Sequence, residues 1–244
     1  MPCRAVQWRA LVHFASVPVL LQWRQMDVEY TLWQMANLLT SPKAVYRQTS
    51  YRKQTKNQWA RDDPAFVVVL ALLVALATVA YCLAFGHSLS RSLFTVLSAV
   101  GVDFLGTGAI IATGCWAVAN AYLRRESAGH SHAVEQKVEW MYAFDVHCNA
   151  FFPLFVALYV VQFFLTPLLL RQGYLPAILS CALYAAALGY YNYVNFLGYH
   201  QLPFLQKTEL FLAPIWLVLA AVPFCVLAGF NPTRACMGWA FGGV

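Results

Sequence analysis

Residues 64–85 read PAFVVVLALLVALATVAYCLAF and contain no charged side chain. A helix needs about 20 apolar residues to cross the hydrocarbon core of a bilayer, so this stretch predicts a transmembrane helix. Asp63 stands where an N-terminal capping residue is expected, and Pro64 suits the first helical turn, in which a missing N–H costs no hydrogen bond.

Four further stretches meet the same criterion, namely residues 93–123, 144–170, 174–197 and 210–230. The chain of 244 residues is 61% hydrophobic and 11% charged, whereas soluble domains are about 45–50% apolar and about 25% charged. This composition excludes a soluble globule, and it excludes a disordered chain as well. The sequence therefore predicts an all-α polytopic membrane protein with about five transmembrane helices over residues 64–230.

The basic residues are unevenly distributed along the chain. Nine of the sixteen Lys and Arg residues precede the first predicted span. Because loops rich in Lys and Arg stay in the cytosol, residues 1–63 are predicted to be cytosolic and residues 231–244 to form a short lumenal or extracellular tail. Residues 10–21 are apolar, but Pro18 interrupts them and no small-x-small cleavage site follows, which argues against a signal peptide.

The predicted cytosolic region contains an amphipathic segment and a basic one. Residues 24–40 (RQMDVEYTLWQMANLLT) carry apolar side chains on one helical face and end before Pro42. Residues 43–61 (KAVYRQTSYRKQTKNQWAR) mix six basic residues with aromatic ones. The candidates for lipid or partner binding in these two segments are Trp33, Lys43, Arg47, Tyr51, Arg52, Lys53, Lys56, Trp59 and Arg61.

Three interpretations of these candidates stay open. A basic segment beside a membrane is attracted to anionic lipid headgroups, by about 1 kcal/mol per Lys or Arg near the surface. The same surface is suited to docking a cytosolic protein. Basic residues mixed with stacking aromatics are also found in proteins that bind single-stranded RNA, although no recognisable RNA-binding module is present.

Four polar side chains within or at the ends of the spans form a second set of candidates: Asp103, Asp145, His147 and Asn149. Ionisable residues in a membrane usually face a partner or water. Asp103 is interpreted either as a packing residue among glycines or as part of a transport pathway. Asp145 and Asn149 are four residues apart and share a helix face, whereas His147 points elsewhere; the group forms either a polar patch at the cytosolic interface or a proton relay.

No motif for catalysis or cofactor binding is visible. The sequence has no nucleophile with a base partner, no phosphate-binding glycine loop and no metal-ligand spacing, so we predict a non-enzymatic protein without metal or cofactor. The seven cysteines are interpreted as small apolar packing residues.

Five segments resemble the uncoordinated-fifty family of eukaryotic Golgi membrane proteins. They are RQMDVEYTLWQM (24–35), TSPKAVYRQTSYRKQTKNQWARDDPAF (40–66), VEWMYAFDVHCNAFFP (138–153), GYYNYVNFLGY (189–199) and LPFL (202–205). The resemblance covers about residues 24–230 and implies a multi-pass helical protein of the Golgi membrane with a cytosolic N-terminal region.

The resemblance also implies a role in vesicular traffic. Family members are linked to exchange factors for ARF GTPases, to the maturation and surface delivery of membrane-protein cargo, and in one case to RNA. It implies no catalytic residues, and it gives no oligomeric state. The matching positions have no assigned roles, and they are Trp59, Arg61, Asp62, Asp63, Pro64, Glu139, Trp140, Asp145, His147 and Asn149.

The sequence thus leads to one main hypothesis and two alternatives. The main hypothesis is a non-enzymatic Golgi protein that recruits cytosolic trafficking factors or assists the delivery of membrane cargo. The first alternative is a small proton- or ion-coupled transporter that uses Asp103 with Asp145 and His147. The second is an RNA-binding protein that uses the basic and aromatic segment 43–61.

Overall fold

The computed structural model describes residues 26–125 and 136–242. Two short helices come first, α1 (Val28–Thr40) and α2 (Pro42–Lys56). Predictions that concern residues 1–25, including the start of the amphipathic segment at Arg24, lie outside the described residues. α1 ends before Pro42 as the sequence predicts, because a residue that precedes proline is disfavoured in helical conformation.

In the described part of the chain, five helices that are long and apolar enough to cross a membrane follow, and this confirms the predicted all-α polytopic fold. They are α3 (Ala65–Ala84), α4 (Leu89–Tyr122), α5 (Trp140–Leu169), α6 (Tyr174–His200) and α7 (Thr208–Leu227). α3 begins one residue after Pro64, and the Asp63 carboxylate accepts a hydrogen bond from the Ala65 N–H at 2.8 Å.

α5 is the central helix of the bundle. Of its first 16 residues, 13 are buried, and it packs against α1, α3, α4 and α6. α7 is the least buried of these helices: no residue of Ala213–Leu227 is buried, and the helix packs against α6. The polar residues at the start of α5 are therefore enclosed by protein.

Two of the long helices contain π-helical segments that the sequence reading did not predict. Ala99–Gly106 interrupts α4, and Val156–Val161 interrupts α5 shortly after Pro153. Both segments pack against α3. A π-helical turn holds an extra residue and shifts the side chains that follow it round the helix axis, and Asp103 lies within the first of these segments.

A last helix, α8 (Pro232–Phe241), lies within the predicted C-terminal tail. Asn231 caps it by accepting a hydrogen bond from the Arg234 N–H at 3.1 Å, and Pro232 occupies the first helical position. Phe241 of α8 stacks on Tyr81 and Phe85 near the end of α3. The tail is thus packed against the end of the bundle opposite to α1 and α2.

Candidate docking surface on the N-terminal hairpin

α1 and α2 form a helical hairpin (residues 28–56, hereafter the hairpin) that packs on one end of the bundle. Asp27 caps α1 by accepting a hydrogen bond from the Tyr30 N–H at 2.8 Å. The Asp27 N–H donates in turn to the Asp63 carboxylate at 2.9 Å. Asp63 therefore ties the start of the hairpin to the start of α3.

The inner face of the hairpin is buried against α5 and α6. Met35 and Leu38 of α1 are 3% and 0% exposed, and Val45 and Tyr46 of α2 are both 2% exposed. Burial raises the pKa of the Tyr46 phenol, which therefore stays neutral. Fixing four side chains of a short hairpin in this way gives it one orientation on the bundle.

α6 contributes a glycine and two polar contacts to this packing. A Cβ on Gly198 would lie 2.7 Å from the Val146 methyl groups and 3.2 Å from Tyr46, so only glycine allows α5, α6 and α2 to approach so closely. The Tyr190 hydroxyl donates to the Leu38 carbonyl at 2.8 Å, and the Gln201 amide donates to Ser50 Oγ at 2.6 Å.

Arg61 is at the centre of a buried polar network between the hairpin and α5. Its Nε lies 3.4 Å from an Asp145 carboxylate oxygen, and its Nη2 donates to Asn149 Oδ1 at 2.8 Å. Nη1 donates to Gln34 of α1 at 3.2 Å, while the guanidinium carbon lies 4.2 Å from the ring centroid of Phe66. The side chains of Arg61 and Asp145 are 7% and 11% exposed, so this ion pair is largely shielded from solvent.

The segment between the hairpin and α3 is held by a second carboxylate. Glu139 accepts hydrogen bonds from the backbone N–H groups of Trp59 and Ala60, at 3.4 and 3.3 Å. Trp59 is 5% exposed and packs between the rings of Tyr142 and Phe204. The Glu139 contacts explain why an acidic residue stands directly before a membrane-spanning helix.

The nine candidates of the N-terminal region therefore divide into three groups. Trp59 and Arg61 contact the protein's own core. Lys56 pairs with Asp62 at 2.6 Å, and Lys53 donates to the Asn57 carbonyl at 2.7 Å. The remaining five, which point away from the bundle or are partly exposed, are Trp33, Lys43, Arg47, Tyr51 and Arg52.

A groove of about 670 Å³ runs along this outward side, between the two helices of the hairpin. Its walls are Tyr30 and Trp33 of α1 and the face of α2 that extends from Ala44 to Thr55. Tyr51 is 71% exposed and Trp33 40% exposed, and both line it together with Arg47 and Arg52. The groove lining has no acidic residue, so its electrostatic potential favours anions.

The intramembrane candidates are not joined into one pathway by the structure. Asp103 lies in the π-helical segment of α4 with an exposed side, and among the described residues no hydrogen bond or ion pair links it to Asp145 or His147. His147 is buried, and its Nδ1 lies 2.8 Å from the Tyr191 hydroxyl. A Cβ on Gly108 would lie 2.5 Å from His147 Nε2, so the imidazole fills the space that this glycine leaves.

Sequence reasoning assigned no role to two polar residues that hold the hairpin and the segment after it, Gln34 and Glu139. In the sequence Gln34 is one of several polar residues of the amphipathic segment, but in the structure it is 3% exposed. Glu139 was visible as a charge beside the apolar start of a span. Neither signal indicates the partner, because the contacts join residues 27 and 80 positions apart in the chain.

Fold and site together define a class of protein. It is an all-helical, multi-pass membrane protein whose N-terminal hairpin is anchored on the bundle through a buried arginine and presents a basic, aromatic groove. The family model described as the UNC-50 family matches residues 17–241. The chain therefore belongs to the UNC-50 family, which confirms the resemblance seen in the sequence.

Individual relatives match along almost the whole chain. The protein unc-50 homolog of Dictyostelium discoideum is 50% identical over 225 residues, which cover 91% of this chain and 85% of that protein. The protein unc-50 homologs of Mus musculus and Homo sapiens are 42% and 41% identical over 224 residues, covering 91% of this chain and 81% of each relative. No solved structure matches the chain.

Proposed function

We propose that this chain is a non-enzymatic Golgi membrane protein whose hairpin recruits cytosolic trafficking factors and thereby assists the delivery of membrane cargo. The observation that carries the proposal is the division of the hairpin into two faces. The inner face is fixed on the bundle by Arg61 and by buried side chains, while the outer face keeps Arg47 and Arg52 without a carboxylate within 4 Å among the described residues.

The orientation in the membrane follows from the charge distribution. With the N-terminus in the cytosol, thirteen of the sixteen Lys and Arg residues lie on the cytosolic side, counting the loops that contain Arg125, Lys137 and Lys207. The hairpin and its groove then face the cytosol, and α8 lies on the lumenal side. The Golgi location and the link to traffic rest on the resemblance to the uncoordinated-fifty family.

Anionic lipid supports the same function without supplying its specificity. Lys43, Arg47 and Arg52 are attracted to anionic headgroups and keep the hairpin close to the membrane surface. This attraction is screened by salt and does not distinguish one membrane from another of equal charge. A protein partner that binds the same surface provides the specificity for one membrane.

Proximity labelling from the cytosolic N-terminus tests the proposal in cells. The variant Lys43→Glu/Arg47→Glu/Arg52→Glu reverses three charges of the outer face and is expected to lose the labelled peripheral trafficking proteins while it remains in the Golgi. The control Arg125→Glu/Lys137→Glu/Lys207→Glu makes the same charge change at exposed positions off the hairpin. Equal labelling by wild type and the hairpin variant contradicts the proposal.

A further inference from the structure

The groove between α1 and α2 is elongated, and its two cations, Arg47 and Arg52, both belong to α2. Its α2 side runs from Ala44 to Thr55, which is about 16 Å along a helix. Arg47 and Arg52 are five positions apart and therefore point about 140° from each other round α2. Between them round the helix lie Tyr51, Ala44, Gln48 and Thr55, so the middle of the α2 wall carries one aromatic, one small apolar and two uncharged polar side chains.

This arrangement distinguishes between kinds of anion. A single phosphate binds best where guanidinium groups converge on one point, whereas Arg47 and Arg52 diverge. A length of about 16 Å matches about three turns of a helix. An amphipathic helix can lay its apolar face in a groove and carry charges on both sides of that face. Such a helix fits both the length of the groove and the divergence of the two arginines.

The acidic residues nearest to this groove already have partners. Arg52 also borders a smaller depression that contains Asp27, Asp62 and Asp63. Asp62 pairs with Lys56, while Asp27 and Asp63 accept backbone hydrogen bonds. Among the described residues no carboxylate lies within 4 Å of the Arg47 or Arg52 guanidinium, so both guanidinium groups are available to an external ligand.

The position of the groove on the hairpin separates it from the lipid. α1 has three exposed apolar side chains on one side, Val28, Leu32 and Leu39, which are 46%, 54% and 43% exposed. Tyr30, which lines the groove, points about 160–180° away from them round the same helix. If the apolar side rests in the membrane interface, as such helices do, the groove opens towards the cytosol.

We infer that this groove binds an acidic amphipathic helix of a cytosolic protein, with carboxylates against Arg47 and Arg52 and apolar side chains on Trp33 and Tyr51. The inference rests on the proposed function for the cytosolic location of the hairpin. It adds the chemistry of the partner segment, which the proposed function leaves open. Because the rim contacts are charge-assisted, binding weakens as salt is added.

The test uses the full chain in nanodiscs and a fluorescent peptide of about 14 residues in which one leucine face is flanked by glutamates. We expect this peptide to bind at least about tenfold more tightly than the same peptide with glutamine for each glutamate. Arg47→Glu/Arg52→Glu is expected to lose the difference. Arg125→Glu/Lys207→Glu, with the same change in net charge at exposed positions off the hairpin, is expected to stay within about twofold of wild type.

Two further measurements make the result decisive. Equal thermal unfolding of the two variants shows that both are folded, as expected for exposed positions. Equal binding of the glutamate peptide to wild type and Arg47→Glu/Arg52→Glu overturns the inference. It is also overturned if a soluble inositol phosphate or an oligouridine binds through Arg47 and Arg52 while the peptide does not, since the occupant is then a lipid headgroup or RNA.

The two proposals fail in different experiments. If the peptide binds as expected and the labelling of trafficking proteins in cells does not depend on the hairpin, the proposed function is wrong and the chemistry of the groove stands. If the labelling depends on the hairpin and the peptide binds all variants equally, the partner uses another part of the outer face.

Discussion

Arg61 shows how one residue can be assigned to the wrong neighbours when only the sequence is known. It closes a run of basic residues, and from the sequence it belongs with them as a lipid or partner contact. In the structure its guanidinium is enclosed by Asp145, Asn149, Gln34 and Phe66. The polar patch predicted at the start of α5 thus binds the side chain of Arg61, which lies 84 positions before Asp145 in the chain.

Arg61→Met keeps the length of the side chain and removes its charge, so it leaves Asp145 buried without its cation. Breaking a buried pair costs about 3–5 kcal/mol of unfolding free energy. We expect the lower end of that range, because the Arg61 N–H still donates to Asp145 at 2.6 Å. Chemical denaturation in detergent micelles measures the loss.

The control for Arg61 is the exposed pair Lys56–Asp62, whose side chains are 60% and 42% exposed. Lys56→Met is expected to change the unfolding free energy by at most about 1 kcal/mol. Arg61→Met/Asp145→Asn is expected to recover part of the stability that Arg61→Met loses, since the uncompensated charge is gone. A double variant that is less stable than the single one contradicts the assignment.

The two aspartates of the long helices differ in their surroundings and make a matched pair. Asp103→Asn is expected not to lower the unfolding free energy, because the Asp103 side chain makes no hydrogen bond or ion pair with the described residues and lies on the outer surface of α4, where a carboxylate that faces lipid costs more than an amide. Asp145→Asn removes the partner of Arg61 and is expected to cost about 3 kcal/mol. Thermal unfolding of the two variants side by side measures both effects.

An equal loss of unfolding free energy in the two variants contradicts this distinction between Asp103 and Asp145.

A separate measurement addresses the transporter hypothesis, which depends on Asp103. A proton flux into proteoliposomes that wild type shows and Asp103→Asn lacks supports that hypothesis over packing.

At the scale of elements, the membrane-spanning helices were readable from the sequence, because each is a long apolar run whose ends are marked by proline, glycine or charge. The first predicted span, 64–85, differs from α3 (Ala65–Ala84) by one residue at each end. The sequence also predicts an amphipathic and basic helical region before the first span, and α2 (Pro42–Lys56) is part of it, although its sequence is polar on nearly every side. It is helical because Val45, Tyr46 and Thr49 are buried against the bundle.

Two glycines of α6 allow a prediction about how the hairpin is held. Ala is favoured over Gly in a helix by about 1 kcal/mol, so Gly189→Ala, with no atom near the added methyl group, is expected to stabilise the protein. At Gly198 the methyl group meets the buried Val146 at 2.7 Å, and overpacking of a core costs about 1–3 kcal/mol. Gly198→Ala is therefore expected to destabilise it.

Hydrogen–deuterium exchange locates the effect of the Gly198 substitution. The amides of α2 (Pro42–Lys56) are expected to exchange faster in Gly198→Ala than in wild type, because Tyr46 of α2 contacts this glycine. Gly189→Ala is expected to leave them unchanged. Faster exchange confined to α7, with α2 protected as in wild type, contradicts the close packing of α2 on α6.

At the scale of the whole molecule, the surplus of positive charge and the apolar composition have separate roles. The apolar residues form the spans, and the outer surfaces of α4 and α7 need no partner among the described residues because lipid covers them. The charge is concentrated before the first span, so it lies at one end of the bundle. The anchoring of the hairpin there could not be predicted, since it depends on contacts between residues far apart in the chain.

The orientation of the hairpin relative to the bilayer is the last prediction, and it uses Leu32 and Tyr51, which are 54% and 71% exposed. Each is replaced by Cys and spin-labelled in a chain whose native cysteines are substituted. If the exposed apolar side of α1 rests in the membrane interface, the label at position 32 is more accessible to oxygen dissolved in lipid. The label at position 51 is then more accessible to a water-soluble nickel chelate.

The comparison of the two labels decides what the groove is able to bind. A label at position 51 that lies as deep as the one at position 32 places the groove against the headgroups, and the ligand of Arg47 and Arg52 is then lipid. A label at position 51 in water places the same arginines where a soluble chain reaches them. The two labels can answer this question because the exposed apolar side of α1 and the groove face different directions.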